Sequence, residues 1–214
     1  MRIRRGIPIV LLICLALSMQ GCGGASWYVD FTTAAYIDDW KRIDWFYPWE
    51  GELHGTDGLW LDGKIFISPV GFDGDFTMDI TLGIGPSAIV PLINFGFYYS
   101  STEPLEWISF NFMNVGDPSS ETYSVSENSP FRPMKSGSGP VGFRIGGESV
   151  FQVKKSGNNL TASINGGKFF SGSYTSYSYD TMFPVLNIDQ GDYTYEVFIK
   201  SIRVEFSGNV YTWH

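Results

Sequence analysis

The chain has 214 residues, a net charge of −8, 17% aromatic residues and 25 glycines. That length suits one sizeable domain with its own core and is short for two. The acidic balance repels nucleic acid and anionic lipid headgroups, while aromatic and glycine content together favour strands and tight turns over helices.

The first element in chain order is a leader. Arg2, Arg4 and Arg5 precede an apolar stretch from Ile7 to Leu17, which is too short to persist as a spanning helix, and Met19-Gln20-Gly21-Cys22 follows. This segment resembles the signal and lipobox of bacterial lipoproteins, with Met19 where a leucine is usual. The resemblance implies cleavage of residues 1–21, a diacylglyceryl thioether on Cys22, and acylation of the new amino terminus by a palmitate-type chain. Several acyl chains on one residue give stable attachment to membrane lipid. It also implies a place in the bacterial cell envelope, and Gly23 after Cys22 implies the outer membrane where the cell has one. Cleavage leaves 193 residues with a net charge of −11, because the leader carries three arginines and no acid. Cys14 departs with the leader and Cys22 is committed to lipid, so no thiol remains for a disulfide, a zinc site or a nucleophile.

Residues 22–26 read as a short lipidated tether and residues 27–214 as a single β-sandwich domain. Thr33 is placed to cap a helix from Ala34 to Trp45, with Tyr36, Ile37 and Trp40 on one face. From Glu52 onward the punctuation is Asp57-Gly58, Asp62-Gly63, Asp73-Gly74 and Asn165-Gly166, dipeptides that mark hairpins and strand ends. Phe76, Met78 and Ile80 alternate with Asp75, Thr77 and Asp79, giving a strand with one dry and one wet side. Ile93, Phe95 and Phe97 share one face of residues 92–99, and Ile108, Phe110 and Phe112 share one face of residues 105–113. A hairpin that pairs Phe97 with Ile108, Phe95 with Phe110 and Ile93 with Phe112 brings the apolar faces together. It places Tyr98 opposite Trp107, Gly96 opposite Ser109 and Asn94 opposite Asn111.

Residues 119–140, rich in Ser, Pro and Gly, read as a long surface loop with a strand-like patch only at Tyr123 and Val125. Phe151 and Val153 lead to a turn at Ser156-Gly157-Asn158-Asn159, and Leu160, Ala162 and Ile164 point inward on the return. At the end of the chain Phe198, Ile202, Val204 and Phe206 read as inward, against Val197, Ser201, Arg203 and Glu205. Long half-buried strands of this kind need a second sheet to cover them, so the fold class is all-β, a two-sheet antiparallel sandwich with at most one or two short helices.

Asp57-Gly58-Leu59-Trp60, the run Phe72 to Asp79, the turn from Lys155 to Leu160 leading to Asn165-Gly166, and the closing Ile199 to Val204 resemble the concanavalin A-like lectin and glucanase superfamily with its laminin G-like branches. The resemblance covers roughly residues 45–206. It implies a jelly roll whose concave sheet presents ligands.

Several motifs reduce to turns. Gly58 to Lys64 copies the spacing of a phosphate loop, but Ile65 stands where a magnesium-binding hydroxyl belongs. The glycine patterns at 83–88 and 137–142 carry Pro86 and Pro140, which oppose the helix a dinucleotide site needs. With only His54 and His214, no serine triad is assembled. Glycoside hydrolysis needs two placed carboxyl groups, and Asp73, Asp75 and Asp79 are the acids to weigh, with Asp38-Asp39 and Glu103 with Glu106 behind them. None reproduces the acid spacing of the laminarinase-like members, so no catalytic residue is assigned. No cofactor or metal ligand is assigned either, although Asp189 with Asp192, or Asp57 with Asp62, can offer oxygens to a structural calcium.

The aromatic and amide face is the binding candidate. Sugar rings lie on aromatic plates while their hydroxyls bond to amides, which singles out Tyr98 and Trp107 beside Asn94, Ser109 and Asn111. The same residues also suit a sheet face covered by a loop or by the helix. Tyr174, Tyr177 and Tyr179 form a second cluster, suited either to an exposed loop or to packing over a sheet edge. The sequence therefore points to a lipid-anchored, non-catalytic carbohydrate-binding module that meets a polysaccharide or cell-surface glycan and no nucleic acid. The alternatives are a glucanase-like glycoside hydrolase and a protein-interaction lipoprotein.

Overall fold

The computed structural model describes residues 24–33, 41–43, 52–53, 57–61, 63, 65–98, 107–128, 131–175, 181–190 and 197–212. Within them the chain forms β1 (Ala25–Asp30), β2 (Lys41–Ile43), β3 (Glu52–Leu53), β4 (Leu59–Trp60), β5 (Ile65–Ile67), β6 (Val70–Phe72), β7 (Phe76–Ile84), β8 (Val90–Tyr98), β9 (Trp107–Val115), β10 (Thr122–Asn128), β11 (Arg132–Ser138), β12 (Gly147–Ser156), β13 (Asn159–Ile164), β14 (Gly167–Ser173), β15 (Phe183–Asp189), β16 (Val197–Phe206) and β17 (Val210–Thr212). No α-helix occurs among the described residues. One sheet has the order β14-β13-β12-β7-β16-β4-β3, with β1 also on β16; the other runs β11-β10-β9-β8-β15-β5-β2; β6 and β17 form a separate ribbon.

The two sheets meet through a phenylalanine-rich core. Phe95, Phe110 and Phe112 of the seven-stranded sheet pack on Phe151 of the eight-stranded one, with ring centroids 5.1, 5.4 and 5.8 Å away. Phe170 on β14 meets Phe110 edge-on at 5.9 Å. Tilted and edge-on rings fill the layer while placing ring edges against ring faces. Along β7 the side chains alternate without interruption, Phe76, Met78, Ile80, Leu82 and Ile84 buried and the residues between them half-exposed.

The β8–β9 register is the one expected: Ile93 faces Phe112, Asn94 faces Asn111, Phe95 faces Phe110, Gly96 faces Ser109, Phe97 faces Ile108 and Tyr98 faces Trp107. Four other expectations need correction. Residues 119–140 hold two strands, β10 and β11, that extend the sheet past β9. Tyr123 and Val125 point inward beside Phe112 and Phe110, and Pro133 falls on the edge strand, just after the register shift, where a missing donor costs no ladder bond. In the span assigned to a helix, residues 34–40 and 44–45 lie outside the described residues, but Lys41–Ile43 pair with β5 as a strand. Here Asp30 ends β1 by accepting from the Thr32 backbone N–H at 2.8 Å. Ala25 and Ser26, assigned to the tether, already pair with Phe206 and Glu205.

The fourth correction concerns β16. Val197 and Ile199 are buried and Phe198 is only half-buried, the reverse of the expected phase, while Ile202, Val204 and Phe206 are buried as expected. A register shift between Ile199 and Ser201 inserts Lys200 as an extra residue and exchanges the faces. The bulged Lys200 carbonyl accepts from Phe31 N–H at 2.9 Å.

Two features hold the margins of the sandwich. On one side, edge strands β11 and β14 are joined by side chains: Lys135 Nζ donates to the Phe169 carbonyl at 2.6 Å and Arg132 Nη2 to the Ser173 carbonyl at 3.0 Å. At one end, the β6–β17 ribbon closes the gap between the sheets. Phe72 of the ribbon packs 5.6 Å from Trp27 and 5.0 Å from Phe206, and exchanges backbone bonds with Met182.

Candidate functional site

The outward side of the seven-stranded sheet is built by the residues that alternate with the phenylalanines. Asn187, Asn94, Asn111, Ser124 and Ser136 occupy one cross-strand row on β15, β8, β9, β10 and β11. Four interstrand steps give this row a length of about 19 Å. Asn94 Nδ2 donates to Asn111 Oδ1. Asn111 Nδ2 donates in turn to Ser109 Oγ at 3.1 Å and Ser124 Oγ at 3.5 Å, and Ser109 and Ser126 share a hydroxyl contact at 3.0 Å. The polar groups thus form a connected lattice across β8, β9 and β10.

That lattice is unfinished at one end. Asn94 is only 5% exposed, and its Oδ1, like that of the facing Asn187, is buried without a donor among the described residues. Leaving a buried amide oxygen unpaired costs about 1–3 kcal/mol.

The flanks of the row differ. Toward one end of the strands, Tyr98 is 4% exposed and packs with Ile67 and Val185, against half-buried Ile65, Trp107 and Phe183. The expected pair of open aromatic plates is therefore corrected: Tyr98 is an anchor inside a small apolar cluster, and only Trp107 keeps part of its surface. Toward the other end, Met113, Thr122, Tyr123, Ser124, Ser136, Gly137 and Ser138 line an open groove of about 410 Å³. A Cβ on Gly137 would lie 2.5 Å from the Tyr123 ring on the inner face, so that ring would have to shift.

The acids singled out from the sequence do not join this face. Asp79 belongs to β7 of the other sheet, where Gln152 Nε2 donates to it at 2.8 Å. Asp75 accepts from the Gly157 N–H at 2.6 Å and ties two turns together. Asp73 accepts from Asn209 and from the Tyr211 hydroxyl at 2.9 Å. Burial pushes the Asp73 carboxyl up, but the Asn209 and Tyr211 hydrogen bonds and the Lys155 charge together hold it below the usual carboxylate range, and the Tyr211 hydroxyl is pushed up by Asp73 in return. All three acids have structural partners. Among the described residues of the amide face, Asp189 is the single carboxylate. Asp38, Asp39, His54, Asp62, Glu103, Glu106, Asp192, Tyr177, Tyr179, His214 and Cys22 lie outside the described residues. No group of three or more His, Cys, Asp or Glu side chains able to hold a metal occurs among the described ones. Of the two readings of the second tyrosine cluster, Tyr174 follows the packed one: it is buried in the main core.

Several residues that shape the site carried no expectation. Ser124 and Ser126 join the lattice, and Asn187 and Ser136 extend its row onto β15 and β11. Glu127 is buried, accepts from Arg132 Nε at 2.7 Å and from the Thr175 N–H and hydroxyl, and so locks the β10–β11 turn region to the chain after β14. Burial pushes its carboxyl up, yet the Arg132 and Thr175 hydrogen bonds outweigh that and leave it below its ordinary value. Gln190 is buried and bonds Leu61 and Val197 main-chain groups at 2.9 and 3.0 Å. The alternation of Phe183, Val185, Asn187 and Asp189 with Pro184, Leu186 and Ile188 was the available signal for Asn187.

No protein family and no curated protein matches the chain by sequence. Solved structures do match in shape. A Bacillus subtilis protein of unknown function with a galectin-like fold aligns over 87% of this chain and 98% of its own at 12% identity and a TM-score of 0.59. The exoplasmic/lumenal domain of VIP36, in its Ca2+/Man3GlcNAc-bound form, aligns over 83% and 87% at 11% identity and a TM-score of 0.58. The Crh5 transglycosylase in complex with NAG aligns over 87% and 86% at 14% identity and a TM-score of 0.57. The chain has the galectin and concanavalin A-like lectin β-sandwich fold.

Proposed function

We propose that this chain is a lipid-anchored protein of the bacterial cell envelope, of the outer membrane where there is one, and that its sandwich is a non-catalytic carbohydrate-binding module. The observation that carries the binding reading is the cross-strand row of amides and hydroxyls on the outward side of the sheet, of which Asn111, Ser124 and Ser136, with Trp107 on its flank, reach solvent. A saccharide presents a dense set of hydroxyl donors, and its apolar ring face matches the remaining surface of Trp107. In this reading Asn94, Asn111 and Ser109 form the polar base, Trp107 the plate, and Tyr98 the packing that fixes Trp107. Partnering of Asp73, Asp75 and Asp79 by the fold favours binding over hydrolysis. The chain without residues 1–22 should be retained on at least one neutral polysaccharide in affinity electrophoresis, and Trp107→Ala and Asn111→Ala should each lose most of that retention with folding intact. Retention unchanged in both variants would remove this surface. The anchor is tested separately: an alkyne fatty acid fed to cells should label the wild-type protein and leave Cys22→Ser unlabelled.

A further inference from the structure

The point of attachment and the architecture together define which end of the sandwich meets lipid. Ala25, the first residue of β1, pairs with Phe206, the last of β16, and a Cβ on Gly24 would lie 2.7 Å from the Phe206 carbonyl. The chain is therefore already held against the sandwich at Gly24. Cys22 is two residues earlier and can stand at most about 7 Å from it. The same end carries the β6–β17 ribbon, whose Val210 and Tyr211 are 45% and 43% exposed. The ribbon is held rigidly: the Tyr211 hydroxyl donates to Asp73, the Asp73 N–H to the Asn209 carbonyl at 3.2 Å, and the Ser207 N–H to the Asp75 carbonyl at 3.0 Å.

We propose that the sandwich rests on this ribbon-capped end, with Val210 and Tyr211 against the lipid interface, its strands upright and the Asn187-to-Ser136 row parallel to the membrane. The inference rests on the lipid at Cys22 proposed above. A lipid interface is the occupant because the short tether keeps it within reach of this end whatever else is present. Neighbouring side chains on a strand leave opposite faces and the Tyr211 hydroxyl already donates to Asp73, so Val210 is the leading apolar contact and the Tyr211 ring flanks it at the boundary between acyl chains and headgroups. Two such side chains are too little apolar area to bind a membrane alone; the tether supplies the high local concentration that makes the contact. The acids nearby, Asp73 and Asp75, are already engaged by Asn209, Tyr211 and Gly157, and Lys155 Nζ donates to the Gly74 carbonyl at 2.6 Å. Those hydrogen bonds keep Asp73 ionised, so the surface suits zwitterionic in preference to anionic headgroups. The row lies across the strands, so a long polymer bound in it would run alongside the membrane.

The lipidated protein, purified from membranes with Cys22 blocked by its thioether, allows a single-thiol test. Asn158→Cys lies in the exposed turn beside Asp75 at the ribbon end, and Ser87→Cys in the exposed turn after β7 at the opposite end. The nine residues of β7 separate those ends by about 30 Å. Each variant is labelled with a donor dye and reconstituted into phosphatidylcholine vesicles holding a headgroup acceptor. Energy transfer should be severalfold stronger from position 158 than from position 87, and Val210→Asp should shrink that difference while leaving the unfolding midpoint nearly unchanged. Equal transfer from both positions, stronger transfer from 87, or indifference to Val210→Asp would overturn the orientation. Dye uptake by the protein without an introduced cysteine would show a free Cys22, overturning the anchor and with it this proposal, and is distinguishable because it precedes any vesicle measurement.

Discussion

The two sides of β8 and β9 are built from opposite chemistry. Inward, Ile93, Phe95, Phe97, Ile108, Phe110 and Phe112 form a dry layer; outward, Asn94 and Ser109 are buried within a lattice of amides and hydroxyls. Burying apolar surface stabilises at about 25 cal/mol per Å², whereas buried polar groups contribute little net and penalise the fold when unpaired. The inner side therefore accounts for folding. The outer side holds polar groups whose burial contributes little to stability, and the proposed binding function rests on that face.

This contrast can be broken or sharpened by substitution. The largest effect should come from Phe95→Ala, which empties the contact with Phe151 and should lower stability by about 3–5 kcal/mol in urea unfolding. Next is Gly96→Ala. A Cβ there would lie 2.1 Å from the Ile108 carbonyl, so backbone must shift, and a loss of about 1–3 kcal/mol is expected from an outward-facing position with no side chain at all. A result near zero would show that the strands separate more easily than the dry layer implies.

Glu127 sharpens the comparison, because it is a charge on the inward side of β10. Its folded carboxyl sits below its ordinary value of 4.5, so its contribution is complete above that pH and is lost as pH falls through the lowered folded value. Wild type should lose stability on the acid side of pH 4.5, and Glu127→Gln should show a flatter acid limb in thermal melts. The smallest stability effect is expected from Asn94→Leu with Asn111→Leu, which replaces both partners of a polar pair by apolar groups and should stay within about 1 kcal/mol of wild type. The same double variant should lose polysaccharide retention. A severe loss of stability would mean that the amide lattice is structural, and retention at the wild-type level would mean that it is not the site.

Legibility followed the same division. The β8–β9 register could be read because large apolar residues alternate strictly with Asn, Gly and Ser, and a one-residue slip would turn phenylalanines outward. The strands β10 and β11 could not, since the serines that mark a loop by composition are, in a row facing outward, the polar half of a strand. Tyr98 was placed on the correct side and misjudged in exposure, because Ile67 and Val185, which bury it, come from strands far away in sequence. The phase of β16 depended on one bulged residue, Lys200, that leaves no compositional mark. The burial of Glu127 depended on Thr175, 48 residues away.

The side-chain bridges from Lys135 and Arg132 have a consequence for how copies of this protein coexist. An open strand margin is a template on which another chain can lay down a strand and begin aggregation. Here the outermost carbonyls of Phe169 and Ser173 are already taken, and an approaching identical margin would meet positive charge first. Copies crowded together are thereby shielded from zipping to one another along that flank.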